Sequence, residues 1–257
     1  MKILITSDWH FGFTQKTCDR IKKMLTNGMN QGFDIMVIAG DISSVDPSQM
    51  EKAFKHAREV VDKPILVVFG NHDYWVADAN RTSLNNIEKV ERSHEEICEK
   101  YNIHYLPYNP YHGKGFSIYG FDGWYGGTNP ITNDANWMSR EFGSFTNLNR
   151  YFFEKQMKQF KYIAEGTFLN PVNILVTHFN IFPSPGKESD MSGYFPLGEI
   201  ATGGFDYIIY GHTHMQEVFE HKNDTLVINP GSNYDNPKFI IIDILDDEGD
   251  IVAGDWK

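Results

Sequence analysis

The sequence predicts an α/β domain built on two sheets, from three observations. Apolar runs of strand length recur along the chain, and the first seventy residues alternate such runs with helical periodicity. From Phe205 onward the pattern turns to strands. Ile3, Leu4 and Ile5 centre a first strand over 2–6, and a helix follows between Thr14 and Gln31. A second strand covers 34–38, and the next helix opens with Asp46 as N-cap, Pro47 at N1 and Gln49 at N3. A third strand spans 65–69, then a polar-faced helix covers roughly 83–101. Short strands fall near His104 and over 116–119, before an irregular stretch at 122–147. A helix over 148–164 leads to strands at 172–176 and 207–210, with final strands near 216–220, 225–228, 239–245 and 250–254. No repeat or linker divides the 257 residues, so one domain over 1–257 is expected.

Bulk properties exclude several classes. Hydrophobic residues make up 41% of the chain, and the apolar stretches near 65–69 and 239–245 are too short to span a bilayer. The chain enters its first strand within two residues, with no basic and apolar leader, so a cytoplasmic protein without membrane contact is expected. Cys18 and Cys98 are the only cysteines, which implies no disulfide framework. The net charge of −11 argues against a general nucleic-acid binder, which carries a basic stripe. A phosphate substrate remains compatible, because bound divalent cations reverse the local potential. The acidic run Asp246-Asp247-Glu248-Gly249-Asp250 reads as a solvated turn.

Five of the strand-like runs end at short polar motifs. They are Asp8-Trp9-His10, Gly40-Asp41, Gly70-Asn71-His72-Asp73, His178 and Gly211-His212-Thr213-His214. Ligands in open α/β sheets gather outside the carboxyl ends of strands, so these motifs would meet at one edge. Carboxylates, an Asn and histidines without cysteine suit first-row divalent metals rather than zinc–thiolate chemistry. Mn, Fe, Zn, Co and Ni all accept the set, which is too large for one ion and enough for two. His56, His94, His104, His112 and His221 lie outside these motifs and read as ordinary packed or hydrogen-bonded residues.

As a set, these five blocks resemble the calcineurin-like metallophosphoesterase superfamily, in its order and over residues 8–214. Asn229-Pro230-Gly231-Ser232 is similar to a recurrent C-terminal segment of that superfamily. The resemblance implies a four-layer α/β/β/α sandwich of two mixed sheets flanked by helices. It implies one metal held by Asp8, His10, Asp41 and His214, and a second held by Asp41, Asn71, His178 and His212. Asp41 would then bridge two divalent ions, with in-line attack on a phosphate ester by a metal-bridging hydroxide. His72, paired with Asp73, would lie outside the metal shell and donate to the leaving oxygen. Asp73 would orient that ring.

Departures from subfamily patterns narrow the class. Protein Ser/Thr phosphatases carry Asp-Arg-Gly in the second block and Glu after the histidine of the third; here Ile42-Ser43-Ser44 follows Asp41, and Asp73 follows His72. Purple acid phosphatases place a tyrosine ligand where this chain has Ser44. The expectation is a phosphodiesterase or phosphatase, with manganese among its metals and diesters preferred, acting on a small phosphate ester or nucleotide. Ser7-Asp8-Trp9-His10-Phe11-Gly12 is similar to the first motif of double-strand-break exonucleases, so a nuclease acting on DNA or RNA ends is an alternative. A non-catalytic scaffold that kept the fold is a third, although scaffold members usually lose ligands.

The 122–147 stretch carries Trp124, Tyr125, Trp137, Phe142 and Phe145 among glycines. Two readings stand open there: satellite core over a sheet edge, or a cap that shapes substrate choice. Trp124, Tyr125 and Arg140 are the candidate substrate contacts, with Arg150 and Lys187 further cations near the site. Oligomeric state has no signature in the sequence.

Overall fold

A computed structural model of the chain describes residues 1–43, 47–75, 87–126, 142, 144–182, 193, 196–201, 203–244 and 251–254. Strands β1 (Lys2–Thr6), β2 (Ile35–Ala39), β3 (Ile65–Val68) and β4 (Ile103–Tyr105) pair in parallel. β5 (Tyr111–Gly113) opens the second sheet antiparallel to β6 (Phe116–Phe121). β7 (Val172–Thr177), β8 (Tyr207–Ile209) and β10 (Thr225–Asn229) extend that sheet in parallel, and β9 (Glu217–His221) closes it antiparallel. β11 (Phe239–Asp243) and β12 (Ile251–Gly254) return to the first sheet, antiparallel beside β1. The orders are β12-β11-β1-β2-β3-β4 and β5-β6-β7-β8-β10-β9, two mixed six-stranded sheets.

Strand alternation sorts the core into three layers. Ile3, Ile5, Val37, Leu66 and Val68 point from the first sheet onto Ile118, Ile174, Val176, Ile209 and Ile228 of the second. Leu4, Met36, Ile38 and Val67 face the other way, onto Ile21, Met24, Phe54 and Val90 of helices α1 (Gln15–Gln31), α2 (Pro47–Val60) and α3 (Ile87–Lys100). Tyr119, Phe121, Leu175 and Ile208 meet Phe160 and Ile163 of α4 (Phe145–Ala164) and Leu197 of α5 (Pro196–Ala201). The result is the expected α/β/β/α sandwich. Helix α1 starts where Thr14 accepts a hydrogen bond from the Thr17 N–H, and α4 where Ser144 accepts from Asn147.

Three boundaries differ from expectation. β5 and α5 are too short to leave a periodic signal. α4 begins at Phe145, three residues before the expected start, because Ser144 caps it by accepting from the Asn147 N–H. Asp46 and residues 83–86 lie outside the described residues.

Candidate metal centre

The carboxyl ends of β1, β2 and β3 in one sheet and of β7 and β8 in the other converge. Asp8 follows β1 by two residues, Asp41 follows β2 by two, and Asn71 follows β3 by three. His178 comes directly after β7, and His212 follows β8 by three. Main-chain bonds lock these loops to one another. Asp8 N–H donates to Gly40 C=O at 3.0 Å, His10 N–H to Asp41 C=O at 2.9 Å, and Gly211 N–H to His178 C=O at 3.0 Å. His212 N–H donates to Asp8 Oδ1 at 3.0 Å, and His72 N–H to Asp41 Oδ1 at 2.9 Å.

The backbone here is strained. Asp8, His10, Asp41, His212 and His214 have φ of 49°, 44°, 52°, 66° and 55°, in the left-handed region. Such residues cost about 1–3 kcal/mol each and persist only where the surroundings over-determine them, which is typical of functional sites.

All seven predicted ligands come together. Asp8, His10 and His214 each offer an atom within 4.8 Å of the others, and so do Asp41, His178 and His212. Nε2 of His10 lies 3.2 Å from Nε2 of His214, which is 3.4 Å from Asp8 Oδ1. Nε2 of His178 lies 3.1 Å from Asn71 Oδ1 and 3.4 Å from Asp41 Oδ1. The other Asp41 oxygen faces Nε2 of His10 at 3.7 Å. Asp41 therefore turns one oxygen to each group.

These spacings fit divalent ions. Ligand distances of about 2.1 Å put neighbouring donor atoms about 3.0–3.4 Å apart in octahedral or tetrahedral shells. Nε2 of His212 is buried with no hydrogen-bond partner, an expensive arrangement unless a Lewis acid takes its lone pair. Protonation follows the same logic. Burial pushes His10 and His212 down to about 3, so both rings are neutral donors. Burial opposes the charge on Asp41, but His178 and His72 hold its carboxyl well below the usual range. Burial also opposes an imidazolium at His178, yet Asp41 and Asp8 raise that ring to about 9.

His72 and Asp73 stand differently from expectation. The Asp73 carboxylate does not hold the His72 ring. It accepts from Ser43 N–H at 2.8 Å and Gly70 N–H at 2.9 Å, and so ties the third loop to the second. Burial, then the charge of Asp41, pushes Asp73 up to about 7. The His72 ring instead stacks on Trp75 (3.6 Å, 27°), and its Nε2 lies 3.3 Å from the Tyr234 hydroxyl. It is also close enough to His10 and Asp41 to form a third possible ligand group.

Tyr234 is a site residue that the motifs did not reveal. Its ring stacks on His10 at 3.9 Å and 17°, and meets the edge of His214 at 5.4 Å. The Asn233–Asn236 bridge places it in a tight turn, where Thr17 Oγ1 donates to its carbonyl at 2.9 Å. The only sequence signal was its position two residues past Asn229-Pro230-Gly231-Ser232.

Trp124 and Tyr125 are core, which corrects their assignment as substrate contacts. Their exposures are 1% and 0%. Trp124 stacks on Phe152 at 4.3 Å and donates through Nε1 to Asn149 Oδ1 at 2.8 Å, while Tyr125 backs His212 at 5.6 Å. Large flat rings beside an α4 stripe bury more apolar area here than they would over an open site. Arg140, Lys187, Trp137 and Ser44 lie outside the described residues. Arg150 is exposed and donates to Asn147 Oδ1 at 2.9 Å.

Among the described residues no helix is long and apolar enough to cross a membrane. A family model for calcineurin-like phosphoesterases matches residues 1–216. No curated protein matches significantly. Among solved structures, a phosphopantetheinyl hydrolase from Mycobacterium tuberculosis aligns with TM-score 0.69 at 14% identity, over 91% of this chain and 90% of its own. A dimetal phosphatase from Danio rerio aligns with TM-score 0.59 at 10% identity, over 100% and 99%. A putative 5′-nucleotidase from Staphylococcus aureus aligns with TM-score 0.55 at 14% identity, over 99% of this chain but 52% of its own. The chain thus spans about half of that protein's length. At these identities the structures share the fold.

Proposed function

The chain belongs to the calcineurin-like phosphoesterase family of metal-dependent phosphoric ester hydrolases, and from that premise we propose that it is a dinuclear phosphodiesterase acting by in-line displacement. The observation that carries this reading is Asp41, whose two oxygens face His178 and His10 in separate ligand groups. Asp8, His10, Asp41 and His214 would hold one divalent ion, and Asp41, Asn71, His178 and His212 the other. Bound there, the ions supply Lewis-acid charge to phosphoryl oxygens and lower the pKa of water.

The protein's own residues do the rest. Neutral His10 and His212 add donors without cancelling the cations' charge. The Asp41 carboxylate, shared between the two, would offset the repulsion between them. His72 donates from Nε2 to the departing oxygen, a role worth roughly 10²–10⁴-fold. Asp73 fixes the loop that presents His72. Diesters are favoured because the chain lacks the second-block and third-block signatures of protein phosphatases. Manganese loading and a cytoplasmic address belong to the same proposal.

The test is the rate on a chromogenic phosphodiester against its monoester, in manganese-loaded protein with a chelator-stripped blank. Metal-dependent turnover favouring the diester is expected. A monoester preference would overturn the diesterase assignment, and no turnover of either with metal bound would point to a scaffold.

A further inference from the structure

Five aromatic rings run in series from the site outward. Trp75 stacks on His72 at 3.6 Å, and His72 meets His10 edge-on at 4.5 Å. His10 stacks on Tyr234 at 3.9 Å, and Tyr234 contacts Phe13 at 4.7 Å. Phe13 is 56% exposed, whereas His10, two contacts inward, is fully buried. Through Tyr234 this open ring ends a series that begins at His72 and His10. The turn beneath it is built, not loose. Thr17 and Arg20 of α1 hold the carbonyls of Tyr234 and Asp235, and Asn233 Oδ1 accepts from Asp235 N–H at 3.2 Å.

We infer that Phe13, Tyr234 and Trp75 form a leaving-group face that selects phosphate esters of alcohols carrying a planar aromatic group, such as a nucleobase. The inference rests on the phosphoesterase reading, and in particular on His72 serving the leaving oxygen. The group bonded to that oxygen must then lie beside His72, where Trp75 and Tyr234 are ring contacts among the described residues, and Phe13 continues outward from Tyr234. Two of their contacts, at 3.6 and 3.9 Å, are already at stacking separation with small angles between planes. Phe13, more than half exposed at the outer end of the series, offers the ring on which a further flat group continues it, and aromatic stacking tolerates any base because every base has a π-face.

The test uses the methyl phosphodiesters of adenosine 5′-phosphate, ribose 5-phosphate and choline phosphate with manganese-loaded full-length protein. The first two lose the same primary hydroxyl, so intrinsic leaving ability is matched and only the base differs. A preference of roughly tenfold in kcat/KM for the adenosine ester, carried mainly by KM, is expected from stacking. Phe13→Ala and Tyr234→Leu should each collapse that ratio to within about twofold of unity. Calorimetric binding of adenosine against ribose gives a second readout that needs no turnover. It should favour adenosine in the parent protein and lose that preference in Phe13→Ala.

A parent ratio near unity, or a ratio that survives in both variants, overturns the inference while leaving the phosphoesterase reading intact. Preference for the choline ester would show a cation site on ring faces and would also overturn it. If no ester turns over with metal bound, the reaction reading fails, and the adenosine measurement alone decides whether the face exists.

Discussion

The Tyr234 hydroxyl lies 3.3 Å from Nε2 of His72, the ring nitrogen proposed to serve the leaving group. The other ring nitrogen, Nδ1, is buried with no hydrogen-bond partner. His72 is therefore oriented by Tyr234 and by the Trp75 stack, not by the neighbouring carboxylate. His72→Ala should lower kcat by roughly 10²–10⁴-fold, with a larger loss for esters of poorer leaving groups. Tyr234→Phe should lose roughly threefold to tenfold, the value of one hydrogen bond, with the same dependence on leaving group. Metal content measured by mass spectrometry should stay unchanged in both. Loss of an ion in His72→Ala would instead make His72 a ligand, as its closeness to His10 and Asp41 permits.

Metal uptake should depend steeply on pH through His178. Its Nδ1–H donates to Ala39 C=O at 2.9 Å, so the second proton sits on Nε2, between Asn71 and Asp41. An ion must displace that proton. With the ring raised to about 9, apparent affinity should climb about tenfold per unit from pH 6 to about 9 and level off above. The metal-free protein should respond with the opposite sign. A raised folded pKa gives stability that is present below the unfolded value of about 6.5 and is lost as pH rises towards about 9. Titrating manganese calorimetrically at several pH values reads the first trend, and urea midpoints of chelated protein read the second. Affinity flat across this range would mean that His178 is already neutral.

Much of this site was legible because catalysis at a sheet edge compresses into short motifs. Asp8, Asp41 and His178 each fall within two residues of a strand end, and strands announce themselves by apolar runs. What failed to show was anything set by packing across distant segments. Tyr234 reaches His10 and His72 only because the turn after β10 folds against α1, a contact of high sequence separation with no local periodicity. Trp124 and Tyr125 misled for a related reason: composition reports aromatic rings but not which way they face. The Asp73 contact with Ser43 was hidden because adjacency in sequence made His72 the obvious partner.

Two glycines in the motifs are spacers for the ligands. A Cβ on Gly70 would stand 2.2 Å from Asp41 Oδ1 and 2.7 Å from His178 Cδ2. A Cβ on Gly40 would stand 2.5 Å from His178 Nδ1, and Gly40 also has φ +80°. Gly70→Ala should cost about 1–3 kcal/mol of stability from overpacking and weaken metal binding, since it displaces the carboxylate proposed to bridge the ions. Gly40→Ala should cost more, as left-handed strain adds to the clash. Thermal melts with and without manganese separate the two effects. The stabilising shift on adding metal should shrink in Gly70→Ala, and an unchanged shift would show that Asp41 can move without loss.

Behind the ligands, Asp122 is the post on which His178 leans. Its carbonyl accepts from His178 N–H at 3.1 Å, while its carboxylate accepts from Phe69 N–H at 2.8 Å, Tyr105 at 2.7 Å and Tyr74 at 3.0 Å. Lys155 lies 3.1 Å from the same carboxylate and 2.9 Å from Glu91. Burial opposes both charges, yet Lys155 and the Tyr105 hydrogen bond hold Asp122 below its ordinary value, and Asp122 with Glu91 raises Lys155. Lys155→Met leaves a buried carboxylate without its cation and should cost about 3–5 kcal/mol near neutral pH. The lowered Asp122 contributes stability that is present above its unfolded pKa of about 3.9 and is lost as pH falls through its folded value. The raised Lys155 contributes below about 10.4 and loses that contribution only at higher pH. The deficit of Lys155→Met should therefore be level from about pH 5 to 9 and shrink towards pH 3. Urea midpoints of parent and variant across that range decide it. A deficit that stays constant down to pH 3 would mean that Lys155 stabilises the fold by packing its stem rather than by the charge of its ammonium.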